Sequence, residues 1–389
     1  MKPVSFVAYG DIGLHTGRPI TELSRGLHRR GLLNQVYCRG VETYDLPEPL
    51  VTTPIPFGRK IPRAMTGINR YVTERFDKRY YSEQLFDRFA ARAITDTGVH
   101  LHHTPGYLRT LRAGNQSGNR TIVKATTEYA ASCYRRIATE YERLEMTPPQ
   151  PATQERRVEL QEQTFKECDQ ILAISSFVEE SLVDAGFPAE KISVTPLGVD
   201  VEAYPTVSDE PDDEPFTALY IGSVTLAKGV PHLLEAWQQN GWGTDDTAQL
   251  LLCGHVSSAM REVLSNYEFD NVRTPGFVDP QEYHHRASVF VFPSISDGYG
   301  KASLEAMAAG LPVITTDQTG VRDTVTDGRE GFLVPAGDAA ALADRLRTLR
   351  EDVSLQRLMG DRALETAREQ TWDRHAETVV AALGLTPPE

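Results

Sequence analysis

The chain reads as an α/β protein built from two doubly wound, Rossmann-like domains facing a cleft, and three observations predict it. Its 389 residues are more than one ordinary core holds and too few for three. Short apolar runs ending at glycine or proline alternate with helical patterns, and the alternation occurs twice, on either side of a stretch rich in proline and acid. Hydrophobic residues make up 40% and charged residues 24%, which suits a chain that buries a core and excludes a disordered or fibrous one.

The first set begins at Val4 to Tyr9, an apolar run that breaks at Gly10 to Gly13, passes His15, Thr16 and Gly17, and enters a helical pattern through Leu23, Leu27 and Arg30. Strands follow at Gln35 to Cys38, Val99 to His102, Thr121 to Ala125 and Ile171 to Ile174, with helices at Glu83 to Ile94 and Gln154 to Cys168. Tyr204 to Pro215 lacks periodicity and reads as a linker or exposed loop. The second set has strands at Phe216 to Gly222, Leu250 to Cys253, Val289 to Phe292 and Pro312 to Thr315. Helices at His232 to Gln239, Gln281 to Ala287 and Lys301 to Ala309 lie between them. Such alternation implies parallel sheets, whose ligands bind outside the carboxyl ends of the strands.

Composition narrows the function. The longest nearly apolar run, Ala287 to Phe292, is far below the roughly 18 residues that cross a bilayer, and Met1 to Gly10 lacks a signal-peptide plan, so a cytoplasmic protein is expected. Cys38, Cys133, Cys168 and Cys253 are scattered and read as reduced core thiols with no metal site. A net charge of −14 argues against nucleic acid as a partner, so any phosphate site must be local. Only 8 of the 40 basic residues are Lys, a weak compositional hint of a salt-adapted or GC-rich source. His100, His102 and His103 sit at a strand end, where packed or hydrogen-bonded histidines are commoner than metal ligands, and His284 and His285 read as helix surface.

The segment Phe292 to Thr316 carries the most chemistry. A strand ends, a loop with Gly298 and Gly300 lets backbone approach a ligand, and a helix starts near Lys301 with Gly310 as its stop. Free amides at that helix start, with the macrodipole, suit a phosphate or a sugar hydroxyl. Asp297 and Glu305, eight residues apart, can both accept hydrogen bonds from one ligand.

This segment resembles the signature of the retaining glycosyltransferases of family 4, group 1, which have the GT-B fold. In that family a Glu, a Gly-aromatic-Gly loop (here Gly298, Tyr299, Gly300, with Lys301 after it among the expected donor contacts) and a second Glu eight residues on grip a nucleotide-sugar donor. The resemblance implies that Asp297, one methylene shorter than the usual Glu, holds the sugar and Glu305 the ribose. Leu219 to Ala236 resembles the first strand and loop of the donor domain, with Gly222 at the strand end and Lys228 in the role of the lysine that neutralises the diphosphate. Ser223 stands where the family often has Arg. Thr274 to Tyr283, with Gly276, Phe277 and Val278, resembles the loop that receives the nucleobase. Thr195 to Asp200 resembles the crossing between lobes, and Glu369 to His375 the segment whose last helix returns to the first lobe. The likeness implies a first, acceptor-side domain over 1–200, joined by a helix near 373–389, and a donor domain over 201–372. It covers nearly all of 170–380 and is looser before that.

In the first lobe Gly13, His15 and Gly17 form the counterpart of the family's glycine loop near the acceptor and the donor phosphate, with a spacing unlike the dinucleotide G-x-G-x-x-G. Lys124 and Glu128, just past a strand end, are candidates for the region near the reacting sugar. Arg59 to Arg79 holds seven basic residues against Glu74 and Asp77, interleaved with aromatics. Such a segment can lie on an anionic membrane surface at the inner face of the cell membrane, or be a solvated helix.

The reading is a metal-independent, retaining hexosyltransferase that needs no cofactor. It uses a nucleotide-diphosphate sugar as substrate and passes the sugar to a saccharide or lipid-linked acceptor in glycan or polysaccharide assembly. Two alternatives stay open: a nucleotide-sugar epimerase or phosphorylase of the same architecture, and a catalytically silent sugar-nucleotide-binding partner subunit, the latter motivated by Ser223 and Asp297.

Overall fold

The computed structural model describes residues 3–13, 17–42, 46–55, 77–94, 98–148, 153–204 and 215–387; His15, most of Arg59 to Arg79 and the 205–214 linker lie outside the described residues. The chain divides into two compact units. Unit 1 comprises Met1–Ser132, Pro149–Leu197 and Trp372–Glu389; unit 2 comprises Cys133–Pro148 and Gly198–Thr371.

Unit 1 holds a seven-stranded sheet in the order β3-β2-β1-β4-β5-β6-β7. The strands are β1 (Val4–Ile12), β2 (Leu33–Val41), β3 (Val51–Thr52), β4 (Val99–His102), β5 (Arg120–Ala125), β6 (Gln170–Ala173) and β7 (Ile192–Val194). Every described pairing is parallel. The connecting helices are α1 (Arg18–Arg29), α2 (Lys78–Ala93), α3 (Leu108–Gln116), α4 (Ala130–Arg143), α5 (Gln154–Glu167) and α6 (Ser176–Asp184). Ile20, Leu23 and Leu27 recur at helical spacing on α1 and bury one stripe against Val4, Phe6 and Ala8 of β1. The same core takes in Ala376, Val379, Val380 and Leu383, so the last helix of the chain, Trp372–Ala382, covers α1.

Unit 2 holds a six-stranded parallel sheet in the order β10-β9-β8-β11-β12-β13. Its strands are β8 (Phe216–Ile221), β9 (Ala248–Cys253), β10 (Val272–Gly276), β11 (Val289–Phe292), β12 (Val313–Thr316) and β13 (Gly331–Val334). Helices α7 (Val230–Gln239), α8 (Ser258–Leu264), α9 (Pro280–His284), α10 (Lys301–Ala308), α11 (Ala339–Glu351) and α12 (Val353–Glu369) connect and cover them; α13 is the terminal helix already described. All four residues of β11 are apolar and buried, as a strand covered on both faces requires.

All of α4 after its first three residues belongs to unit 2. Glu140 accepts from Arg143 at 2.8 Å and lies 3.0 Å from His232 Nε2 on α7, while Arg143 also donates to Glu235 at 2.7 Å. Burial would lower the His232 pKa, but the carboxylates of Glu140 and Glu235 outweigh it and raise it.

Two expectations are corrected here. His284 is buried against Tyr204 and Phe290, with ring centroids at 5.6 and 5.9 Å, because the short α9 turns it inward; His285 alone is surface. Cys38, Cys168 and Cys253 are buried free thiols, but Cys133 is half-exposed, its sulfur 3.8 Å from Ser296 Oγ.

Gly229 has φ +65° and starts α7 so close to the loop after β11 that a Cβ would stand 1.8 Å from the Pro293 carbonyl oxygen. Gly229→Ala is therefore expected to lower unfolding free energy by about 2–3 kcal/mol in urea titrations. A loss below about 0.5 kcal/mol would mean that the two loops part without cost.

Candidate functional site

In both units the strand order reverses beside the first strand, between β1 and β4 and between β8 and β11. Loops that follow adjacent strands diverging at such a point leave a ligand crevice at the carboxyl edge. In unit 2 these are the loops Gly222–Gly229 and Pro293–Gly300. They are tied by the Ile295 amide donating to the Ala227 carbonyl at 3.1 Å and by the Ser294 hydroxyl donating to the same oxygen at 3.3 Å.

Asp297 is the hub of the second loop. Its amide donates to the Gln318 carbonyl and its carbonyl accepts from the Gly320 amide, both at 3.0 Å, which fixes its backbone to the segment after β12. Its carboxylate accepts from the amides of Tyr299 at 3.0 Å and Gly300 at 2.7 Å, and its other oxygen takes a hydrogen bond from the Lys228 ammonium. Burial pushes this carboxyl up, but the neighbouring Lys228 charge and the two amides outweigh it, so Asp297 stays below the usual carboxylate range. Lys228 ends a short 3-10 turn over Leu226–Lys228.

Gly300 precedes α10 with φ +81°, a left-handed conformation that glycine adopts without strain. The carboxylate of Asp297 already occupies the amides of Tyr299 and Gly300, so the expected open row of donors is shorter than the sequence suggests. The amides of Lys301 and Ala302 follow in the first turn, where an α-helix supplies no acceptor of its own. The Tyr299 side chain anchors the loop: the residue is 2% exposed, and burial pushes its hydroxyl up to about 12. Glu305 lies one turn into α10 and receives the Lys301 ammonium at 2.5 Å, the acid 12% exposed and the lysine 33%. Gly298 is buried in the same loop, whereas Gly222 donates its amide to Cys253 at the end of β8 and Ser223 is exposed.

Lys228 and Asp297 thus meet across two adjoining loops, and Lys301 and Glu305 follow at the helix start that the second loop enters. Gly276, Phe277 and Val278 stand apart, at the carboxyl end of the edge strand β10, two strands from β8. Phe277 is 88% exposed, a ring presented to solvent at the edge of the sheet where ligands bind.

In unit 1, Gly13 and Gly17 are held by the Thr21 hydroxyl, which accepts from the Gly13 amide at 2.9 Å and lies 3.0 and 3.1 Å from the carbonyls of Gly13 and Gly17. Lys124 and Glu128 are fully buried near the carboxyl end of β5. Lys124 Nζ lies 3.1 Å from His375 Nε2 on α13, and His375 Nδ1 lies 2.5 Å from the Pro196 carbonyl. With only burial acting on it, the Lys124 pKa falls to about 7. His103 stands close enough that burial, with the charges of Lys124 and Arg79, lowers its pKa to about 3. Lys124 and His375 stand 251 positions apart, and their spacing in the chain carries no sign of the meeting.

His100 and His102 are buried in β4, and among the described residues no group of three or more His, Cys, Asp or Glu is placed to hold a metal ion. Of Arg59 to Arg79 only the last three residues are described; Arg79 donates to Glu83 at 2.8 Å. No helix among the described residues is long and apolar enough to cross a membrane.

Two family profiles divide the chain between them. The first, described as "Glycosyltransferase Family 4", matches residues 16–203, and the second, "Glycosyl transferases group 1", matches residues 215–352. Among curated proteins, the chain is 33% identical over 196 residues to a "Putative colanic acid biosynthesis glycosyltransferase WcaL" of Salmonella typhimurium, covering 48% of each chain. It is 29% identical over 211 residues to the "Capsular polysaccharide biosynthesis glycosyltransferase CapM" of Staphylococcus aureus, covering 49% of this chain and 54% of that one. The chain spans about half the length of these curated relatives. Among solved structures, the sucrose-phosphate synthase of Thermosynechococcus elongatus superposes with a TM-score of 0.71 at 20% identity, over 99% of this chain and 98% of that one. Anabaena Alr3699/HepE, solved in complex with UDP and glucose, superposes with a TM-score of 0.66 at 16% identity, over 99% and 100%. Likeness at such identities shows the fold, and the fold is that expected of the GT-B class. With both of its halves matched by profiles of one kind, the chain belongs to the group 1 glycosyl transferases, Glycosyltransferase Family 4.

Proposed function

We propose that this chain is a retaining, metal-independent hexosyltransferase. It moves a sugar from a nucleotide-diphosphate donor to a saccharide or lipid-linked acceptor in glycan assembly. The observation that carries the reading is the meeting of Lys228 and Asp297 at the turn that opens α10, with Glu305 one turn further on. A fixed carboxylate and ammonium at a helix start match a ligand with hydroxyls at one end and phosphates beside it. Relatives named for colanic acid and capsular polysaccharide biosynthesis, and a structural neighbour solved with UDP and glucose, support the same class of substrate.

In this scheme the bond from the anomeric carbon to the diphosphate oxygen breaks and a bond to an acceptor oxygen forms on the same face. The acceptor proton passes to the departing phosphate. Negative charge grows on the diphosphate as it leaves, and Lys228 with the first-turn amides of α10 would stabilise it where it develops. Asp297 would orient the sugar and Glu305 the ribose. Phe277 would offer its ring to the base, while Gly13, Gly17, Lys124 and Glu128 would serve the acceptor side.

A thermal-shift panel of nucleoside diphosphates tests the donor reading. At 100 times its dissociation constant a matching diphosphate adds about 2.7 kcal/mol and should raise Tm by roughly 5 °C or more. A flat response across uridine, guanosine, adenosine and thymidine diphosphates would sink it. Conversion of donor with no acceptor present would instead indicate an epimerase. Phe277→Ala is expected to raise KM for the donor about 5- to 10-fold with kcat little changed, as loss of a stacking contact does. An unchanged KM would remove the ring from the donor site.

A further inference from the structure

The two loops of unit 2 and the first turns of α10, residues 222–229 and 293–305, contain two cations, Lys228 and Lys301, and two acids, Asp297 and Glu305. Each lysine is paired with one acid. The four charges sum to zero, and in this arrangement each ammonium gives one of its three donors to a carboxylate. The pairs differ in what remains when the lysine leaves. Asp297 keeps its two amide donors, from Tyr299 and Gly300, and needs no replacement. Glu305, 12% exposed, has the Lys301 ammonium as its ion partner, and a largely enclosed carboxylate that gives up its ammonium must receive other donors.

Lys301 is also placed against the helix field. It occupies the first position of α10, where the macrodipole favours anions; no acid stands in that first turn, and Gly300 offers no side-chain cap. Its partnership with Glu305 one turn below is what offsets that position. Once the partnership breaks, the ammonium stands at the positive end of a helix and is best satisfied by an external anion. Ser223, on the opposite loop, is exposed and carries no charge with which to meet that anion.

We propose that Lys301 is a second diphosphate-binding residue, released to the phosphates when the ribose hydroxyls of the donor replace it on Glu305. The inference rests on the donor reading above and deepens it: one end of the ligand frees the cation that binds the other. The ribose diol supplies two O–H donors to the carboxylate, so Glu305 stays satisfied. The ammonium exchanges a carboxylate for a phosphate oxygen, so the charge-assisted bond is kept. Nucleoside recognition and phosphate recognition are thereby coupled, and a nucleoside lacking phosphates must displace Lys301 with nothing to receive it.

Isothermal titration of the full chain, with each of the four nucleosides paired with its own diphosphate, tests the coupling in the wild type, Lys301→Met and Lys301→Arg. For the pair that binds, Lys301→Met should weaken the diphosphate about 10- to 100-fold, the range expected for one lost charge-assisted hydrogen bond. It should leave the nucleoside unchanged or bind it more tightly, because Glu305 is then unobstructed. Lys301→Arg should restore the diphosphate to within about 3-fold. Equal weakening of nucleoside and diphosphate by Lys301→Met would overturn the proposal, since Lys301 would then only position Glu305. No weakening of either would overturn it as well. A wild type that binds no member of the panel removes the donor reading itself, and this inference with it.

Discussion

Asp297→Asn should slow sugar transfer by about 1,000-fold, a rise of roughly 4 kcal/mol in the barrier, while Tm changes by only a few degrees. The asymmetry follows from what each oxygen does. Asparagine keeps an oxygen that can accept from the amides of Tyr299 and Gly300, so the turn into α10 keeps its shape. At the other oxygen the substitution sets an amide NH2 against the Lys228 ammonium, two donors facing each other in a partly buried site. Lys228 then loses the partner that fixes it, and an ammonium on a flexible stem contributes to a developing phosphate charge only if it is already in place. Asp297→Glu restores the charge and should remain within about 10-fold of the wild type, because the lengthened side chain still reaches Lys228. Steady-state transfer of labelled sugar from the matching donor measures both. Full activity in the asparagine variant would show that Asp297 is a backbone cap and nothing more.

How much of this was legible in the sequence depends on the distance in the chain between partners. The fold was readable because its signal is local and repeated. Val289 to Phe292 and Val4 to Tyr9 are apolar runs broken at a proline and a glycine, and each supplies its own evidence. The two-residue β3, the three-residue β7 and the exposed β10 escaped, since runs that short or that solvated carry no period. The donor loop was readable for the same local reason: Asp297, Gly298, Gly300, Lys301 and Glu305 lie within nine residues. What spacing does not reveal is which groups are already engaged. The pairing of Lys228 with Asp297 spans 69 positions, and the occupation of the Tyr299 and Gly300 amides depends on a rotamer. That the Tyr299 side chain packs inward depends on the core beneath the loop, which the glycines on either side of it do not announce. Residues 133–148 fall in unit 2, where Glu140 meets His232, 92 positions away, a contact that local spacing does not reveal.

The largest expected effect on stability comes from Lys124, read as a slope against pH. Its ammonium lies at 1% exposure, and burial lowers its pKa from 10.5 to about 7. Between those values the unfolded chain binds a proton that the folded chain has released, so stability rises with pH, by about 1.4 kcal/mol per unit from this group alone. Below pH 7 both states carry the proton and the folded state bears the full cost of a buried ammonium, about 4–5 kcal/mol relative to pH above 10. His375 fits this account. Burial and the neighbouring charges of Lys124 and His103 hold its pKa well below 6.5, so the ring is neutral, with Nδ1–H donating to the Pro196 carbonyl and Nε2 accepting from Lys124. Lys124→Met keeps the apolar stem and leaves Nε2 unpaired, a roughly constant penalty of about 1–3 kcal/mol that moves the height of the curve and not its slope. Urea unfolding of both proteins at pH 7, 8 and 9 should therefore give curves that diverge steadily, the wild type gaining on the variant with each unit. Parallel curves would show that the amine keeps its proton in the fold.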